Sequence, residues 1–270
     1  MLEPLTFLAT AAVMLPHQDA ILSPSDAGAD DTAVSNIKTT WSCPANTIEP
    51  SELSKHIHRA WTLQSQQVDQ VRFKVVITPH AGSWLYASPL TSVDLLLSDE
   101  AIRVTNAYQL GTNICQHHTC VCGATVDDRG LHGSACRKSR PRHIRHSQLN
   151  DLIWRAVKKA QIPASKEPIG LSRAHGKRPD EANLVPWTRG KPIAWDMTVP
   201  DAYAASQIQL TSTTGCTAAE KAAVNKTTKY VALAATHFFV PVSIETSGAW
   251  CPQSAEFISD QGRRTTAITK

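Results

Sequence analysis

Pro192-Ile193-Ala194-Trp195-Asp196-Met197-Thr198-Val199-Pro200 decides how the rest of the chain is read. Seven residues between two prolines, almost all apolar and too few for a typical helix, predict a buried β-strand. Strand alternation places Ile193, Trp195, Met197 and Val199 on one face and Ala194, Asp196 and Thr198 on the other. Asp196 is then the anomaly. A carboxylate in the middle of such a strand loses several kcal/mol on desolvation unless it is paired or holds a cation. A nearby arginine could satisfy it, and so could a metal ion.

Working outward, the clearest helix lies upstream, where Leu149, Leu152, Ile153, Ala156, Val157 and Ala160 recur at helical spacing and Pro163 closes the run. Strand-like stretches follow near 165–169 and 180–185. Downstream of the central strand, a polar loop over 201–216 leads to Thr217-Ala218-Ala219-Glu220, a capping-box pattern that predicts a helix to about Ala235. Residues 238–244 predict another strand, and Pro241 places it toward an edge or a bulge. Nearer the start, a helix is expected within 51–76, with Leu53, Ile57, Ala60, Trp61 and Leu63 on its buried face. A second is expected from Asp99 to Leu110, with Ser98 as N-cap and Gly111 as its stop. Helix, strands, helix, strand is the order of an α/β layer structure.

The chain has 270 residues, enough for one large domain or two modest ones, and 42% apolar content excludes a disordered or collagenous chain. Residues 5–15 are apolar but too short to span a bilayer, and Glu3 stands where an export signal would carry positive charge. The first forty residues, with Asp30-Asp31 in a Ser/Gly/Pro-rich loop, read as a leader. Net charge is +4, but this averages two unlike regions. Residues 137–191 hold 14 Lys/Arg against 4 Asp/Glu, and the remainder holds 13 against 19. A middle segment of +10, with His143, His146 and His175 added, has the footprint of a phosphate-binding surface. A solvated basic face with no partner is the alternative.

Four of seven cysteines crowd into Cys115, Cys120, Cys122 and Cys136, which without a secretory context suggests metal rather than disulfides. Cys120-x-Cys122, nine intervening residues, then His132-x₃-Cys136 can close a tetrahedral Zn²⁺ site, with Gly123, Gly130 and Gly133 supplying tight turns. Cys115, His117 and His118 are close enough to substitute for a ligand. Cys43, Cys216 and Cys251 read as ordinary core or surface residues. A second acid, in Lys177-Arg178-Pro179-Asp180, precedes Asp196 by fifteen intervening residues. Two carboxylates converging from adjacent strand ends suit Mg²⁺ or Mn²⁺, which keeps several waters and is completed by a phosphate. Trp187, in the basic loop Pro186-Trp187-Thr188-Arg189, is the tryptophan expected to contact an unpaired base.

Taken together, Lys166-Glu167-Pro168, Arg178-Pro179-Asp180, the strand around Asp196 and the helical Asn225-Lys226-Thr227-Thr228-Lys229-Tyr230 resemble one known domain. This is the restriction-like endonuclease domain at the C-terminus of site-specific non-LTR retrotransposon proteins, part of the PD-(D/E)xK nuclease superfamily. The resemblance spans roughly residues 84–250 and rests on order and spacing. It implies an α/β core with a small mixed sheet flanked by helices. On that basis the expected organisation is a leader (1–45), a mainly helical region (46–112), a zinc knuckle of Cys120, Cys122, His132 and Cys136 (113–140), the nuclease core (141–260) and a tail (261–270).

The resemblance further implies that Asp180 and Asp196 are metal carboxylates, with Glu167 an additional acid. The family's lysine two residues after the second carboxylate is replaced by Thr198. Related enzymes place it on the following helix, where Lys226 or Lys229 would orient water or neutralise the phosphate, with Tyr230 adjacent. Arg140, Arg142, Arg145, Lys177, Arg178, Trp187 and Arg189 are the expected nucleic-acid contacts. The implied activity is Mg²⁺- or Mn²⁺-dependent nicking of target DNA in the nucleus. Element RNA would be a second partner, a reverse transcriptase would act in trans, and no membrane is involved. The alternative is a catalytically inactive, zinc-stabilised nucleic-acid-binding fragment of such an element. A resolvase or repair nuclease on the same core ranks third.

Overall fold

The computed structural model describes residues 66–82, 97–136, 138, 141–171 and 178–269. The expected leader, the first part of the 51–76 helix, Cys43 and Trp84 lie outside them. The chain begins with α1 (Gln67–Val76) and α2 (Asp99–Leu110), and a small hairpin of β1 (His118–Thr119) and β2 (Thr125–Val126) follows. Next come α3 (Leu131–Ala135) and the long α4 (Pro141–Lys159). A four-stranded sheet is built from β3 (Ala164–Lys166), β4 (Glu181–Asn183), β5 (Ile193–Thr198) and β6 (Phe238–Ser243). Between β5 and β6 the chain forms α5 (Ile208–Thr211) and α6 (Thr217–Lys229), and it ends in α7 (Pro252–Thr269).

The sheet order is β3-β4-β5-β6, antiparallel through β5 and parallel between β5 and β6. The parallel pair runs from Ile193 opposite Phe238 to Thr198 opposite Ser243, with α5 and α6 supplying the crossover. β6 is an edge strand, which accommodates the missing N–H of Pro241 opposite Asp196.

The alternation read from β5 holds. Ile193, Trp195 and Met197 pack with Leu149, Ile153 and Val157 of α4, with Val240 and Val242, and with Phe257 and Ile258 of α7. On the other face Ala194 packs with Ala182, Tyr230 and Leu233 beside the C-terminal end of α6. Helix α2 has the anticipated caps, Ser98 Oγ accepting from the Ala101 amide and Gly111 at φ 72°. The positive φ is what asks for glycine at 111, and a Cβ there would also push on the Arg72 guanidinium.

Four expectations change. Thr217 is the first residue of α6 and not its cap: the N-cap is Cys216, which makes no side-chain cap bond. The first amides of α6 are met instead by Glu245, whose Oε1 accepts from Ala218 at 2.9 Å and Ala219 at 3.2 Å. The helix also ends at Lys229, and Val231–Ala235 is a 3₁₀ turn. The strand expected over 165–169 is shorter, because Ile169–Leu171 is a 3₁₀ turn. Nor are the expected helical region and tail separate from the core. Val71 and Val75 of α1 pack against Ala219 and Ala223, and Gln261, fully buried on α7, donates to the Ala156 carbonyl at 2.9 Å.

Glu245 is fully buried, and burial pushes its carboxyl up to about 7, against amide and Ser247 hydrogen bonds that favour the charged form. The folded chain therefore holds an extra proton. Stability from this group is greatest below its ordinary value of 4.5 and declines as pH rises to about 7. Glu245→Gln, which keeps the acceptor oxygen without the charge, is expected to flatten that decline in urea unfolding across pH 4.5 to 8. Glu245→Ala strands two buried amides and is expected to cost about 1–3 kcal/mol at every pH.

Candidate metal centre and carboxylate site

Two constellations stand apart on the structure. The first is the cysteine cluster. The β1–β2 hairpin turns through Cys120 and Cys122, with Gly123 at φ 89° and its amide on the Cys120 carbonyl at 2.8 Å. Gly130, at φ 66°, opens the short α3, which carries His132 and delivers the chain to Cys136. Gly133 lies within α3 and needs no positive φ. The ligand atoms of Cys120, Cys122, His132 and Cys136 all lie within 4.8 Å of one another. Cys120 Sγ and Cys136 Sγ are 3.7 Å apart and Cys122 Sγ is 3.1 Å from His132 Nε2. A tetrahedral zinc with bonds of about 2.3 Å holds its sulfurs about 3.8 Å apart, so the set fits that ion with little adjustment. Among the described residues this is the one group of three or more ligating side chains that converges on a point. Cys115, His117 and His118 are not in the converging set, and Cys115 Sγ instead lies 3.4 Å from the Asp127 carbonyl.

The Cys122 thiol is lowered to about 7 by the Ala124 amide, then by Cys120, Cys136 and His132. It therefore gives up its proton more readily than an ordinary cysteine, which favours cation binding. Zinc uptake must still displace the remaining thiol protons, so affinity is expected to fall steeply as pH drops from 7 to 5. Titration against a chromophoric chelator should give one zinc per chain, and Cys136→Ser should abolish tight binding.

The second constellation gathers at the end of β5 that meets α6. Asp196 is 2% exposed. Its Oδ1 is ion-paired with Lys226, and Lys229 Nζ lies 3.5 Å from Oδ2. Lys226 and Lys229, three residues apart on α6, therefore share the face turned to the sheet. Asp180, just before β4, reaches the same strand end, where its Oδ2 accepts from the Met197 amide at 2.7 Å. The His146 Nε2 of α4 lies 3.3 Å from that oxygen and 3.2 Å from the Met197 carbonyl. Burial pushes the Asp180 carboxyl up, but His146, the Met197 amide and Lys226 outweigh it and hold the group below the usual carboxylate range. Asp180 in turn raises His146 against the effect of burial.

Other anticipated residues take different positions. Tyr230 is 1% exposed, and its hydroxyl donates to the Arg178 carbonyl at 2.6 Å while lying 2.5 Å from Lys229 Nζ. It braces the segment leading to Asp180 and is not open to a substrate. Glu167 is turned outward, ion-paired with Arg178, and meets the Asp180 segment only through its backbone amide at 2.6 Å. Its carboxylate is therefore not part of the site, and the pairing also occupies Arg178. Arg145 is 4% exposed and donates to the Ser134 carbonyl, so it is internal and not a nucleic-acid contact. Trp187 packs against Phe257 at 5.9 Å and carries the Arg264 guanidinium at 3.8 Å from its ring centre, so stacking on a base would require displacing Arg264. Arg189 is exposed in a tight turn. Arg140, Lys177 and the Arg142 side chain lie outside the described residues.

Sequence reasoning missed two groups. His146, counted only with the basic segment, is half-buried at the edge of the apolar stripe of α4, at helical spacing from Leu149 and Ile153, and that periodicity was the available signal. Glu181 is fully buried with neither carboxyl oxygen hydrogen-bonded among the described residues, and burial raises it to about 9, leaving it neutral at pH 7. No helix among the described residues is long and apolar enough to cross a membrane. No protein-family model, curated protein or solved structure matches the chain.

Proposed function

We propose that the chain is a metal-dependent DNA endonuclease module that nicks target DNA and derives from a non-LTR retrotransposon protein of PD-(D/E)xK type. The observation that carries this reading is the meeting of Asp180, Asp196 and Lys226 at one strand end, despite the absence of a lysine at position 198. A buried carboxylate flanked by a second acid and two ammonium groups is costly to build for stability alone, and hydrophobic residues would serve the fold better.

Asp180 and Asp196 would be the two hard oxygen donors to Mg²⁺ or Mn²⁺, with Asp196 exchanging a lysine partner for the ion and waters and a phosphate completing it. Such an ion would supply Lewis-acid stabilisation of the phosphorane and a more acidic water. The remaining work falls to the chain's own residues. The Met197 amide and His146 fix the Asp180 carboxylate in orientation. Lys226 and Lys229 pair with the Asp196 carboxylate and would place positive charge where a scissile phosphate gains negative charge. Tyr230 anchors the Arg178 carbonyl and so fixes the approach of Asp180 to the sheet. Nicking would expose a 3′ hydroxyl for a reverse transcriptase acting in trans, with element RNA as the template and the nucleus as the place of action.

Purified protein incubated with supercoiled plasmid and Mg²⁺ or Mn²⁺ should yield open circles. Asp180→Ala, Asp196→Ala and Lys226→Ala should each reduce the rate by about 10²-fold or more. Divalent-independent, salt-sensitive DNA binding without nicking in the wild type would overturn the enzyme reading and favour a zinc-stabilised binding fragment.

A further inference from the structure

Arg145 and His146 are neighbours on α4, yet their side chains run to different sites. Successive helical residues are rotated by about 100°, which lets one reach α3 while the next reaches the sheet. Arg145, 4% exposed, donates to the carbonyl of Ser134, and Ser134 lies between His132 and Cys136 of the cysteine cluster. Ser134 is itself buried, its hydroxyl donating to Leu131 at 2.8 Å and lying 3.1 Å from the Tyr108 hydroxyl. His146 lies 3.3 Å from Asp180.

We infer that Arg145 is a positioning residue that docks the start of α4 on the zinc knuckle and thereby aims His146 at Asp180, so that zinc in the knuckle orders the carboxylate site. The physical reason lies in α3. Five residues are too few to hold a helix by backbone hydrogen bonds alone. Its conformation, and with it the direction of the Ser134 carbonyl, is fixed when His132 and Cys136 are both bonded to one ion. Arg145 offers rigid, planar donors to that carbonyl and carries the constraint into α4. One peptide unit further on, His146 carries it to the sheet. The catalytic consequence rests on the nuclease reading, whereas the structural link does not.

The test follows the His146 imidazole by NMR in full-length, isotopically labelled protein, with its signals assigned through His146→Gln. Adding one equivalent of Zn²⁺ to metal-stripped wild type should shift and sharpen those signals. In Arg145→Met, zinc should still bind at one per chain while the His146 signals stay unchanged, and Arg145→Lys should recover part of the response. In Cys136→Ser, which breaks the knuckle, one equivalent of zinc should leave His146 unmoved. An unresponsive His146 in wild type would overturn the inference even if the buried Arg145 variants fail to fold. So would an equal response in Arg145→Met, or a retained response in Cys136→Ser, which would mean zinc acts directly beside Asp180. Plasmid nicking measured in parallel should show Arg145→Met needing more Mn²⁺ for half-maximal rate at unchanged DNA affinity. Absence of nicking in wild type alongside a zinc-responsive His146 would remove the nuclease reading and leave the link standing.

Discussion

A carboxylate in the middle of a central strand forces the surrounding structure to answer it. Asp196, at 2% exposure, is costly to bury without partners, and α6 brings two lysines to it. For that to happen the strand must keep its register, with Asp196 on the α6 face and Trp195 and Met197 on the α4 and α7 face. A slip by one residue would bury Asp196 against leucine and isoleucine and drive the Trp195 ring into the small-residue face beside α6. Burial of the apolar face and pairing of the charged one thus select the same alignment. The other carboxylate, Asp180, is held to the same strand end by the amide of the residue that follows Asp196.

The parts of this arrangement that depend on periodicity could be read from the sequence. Period-two alternation assigned the faces of β5, helical spacing assigned the buried side of α4, and local capping assigned Ser98 and Gly111. The Cys120, Cys122, His132 and Cys136 set was legible because ligand type and spacing are themselves the chemistry of the site. The three-residue separation of Lys226 and Lys229 showed that they share a face, though not which neighbour that face meets.

What escaped the sequence depended on distant partners. Arg145 belongs to the most basic segment, and charge counting cannot tell a solvent-facing guanidinium from one spent on a buried carbonyl. Glu167 was placed beside the metal by analogy, but its neighbour in space is Arg178. Trp187 looked like an exposed aromatic in a basic loop, whereas Phe257, seventy residues further along, claims its ring. The start of α6 carried a local capping signal that is not used, because Glu245 supplies the acceptor from across the crossover.

That remote cap also determines when the lysine pair comes into being. Helix α6 has 13 residues, three of them threonine, and such a segment is barely helical on its own in water. Its first amides find their acceptor only after the chain has passed through β6 to Glu245, at the turn where the Gly248 amide closes on the Glu245 carbonyl. During synthesis from the N-terminus, Lys226 and Lys229 would therefore remain on an unwound segment until the residues around Glu245 have been made. The lysines that pair with Asp196 and the strand that completes the sheet thus share one structural condition, the presence of Glu245.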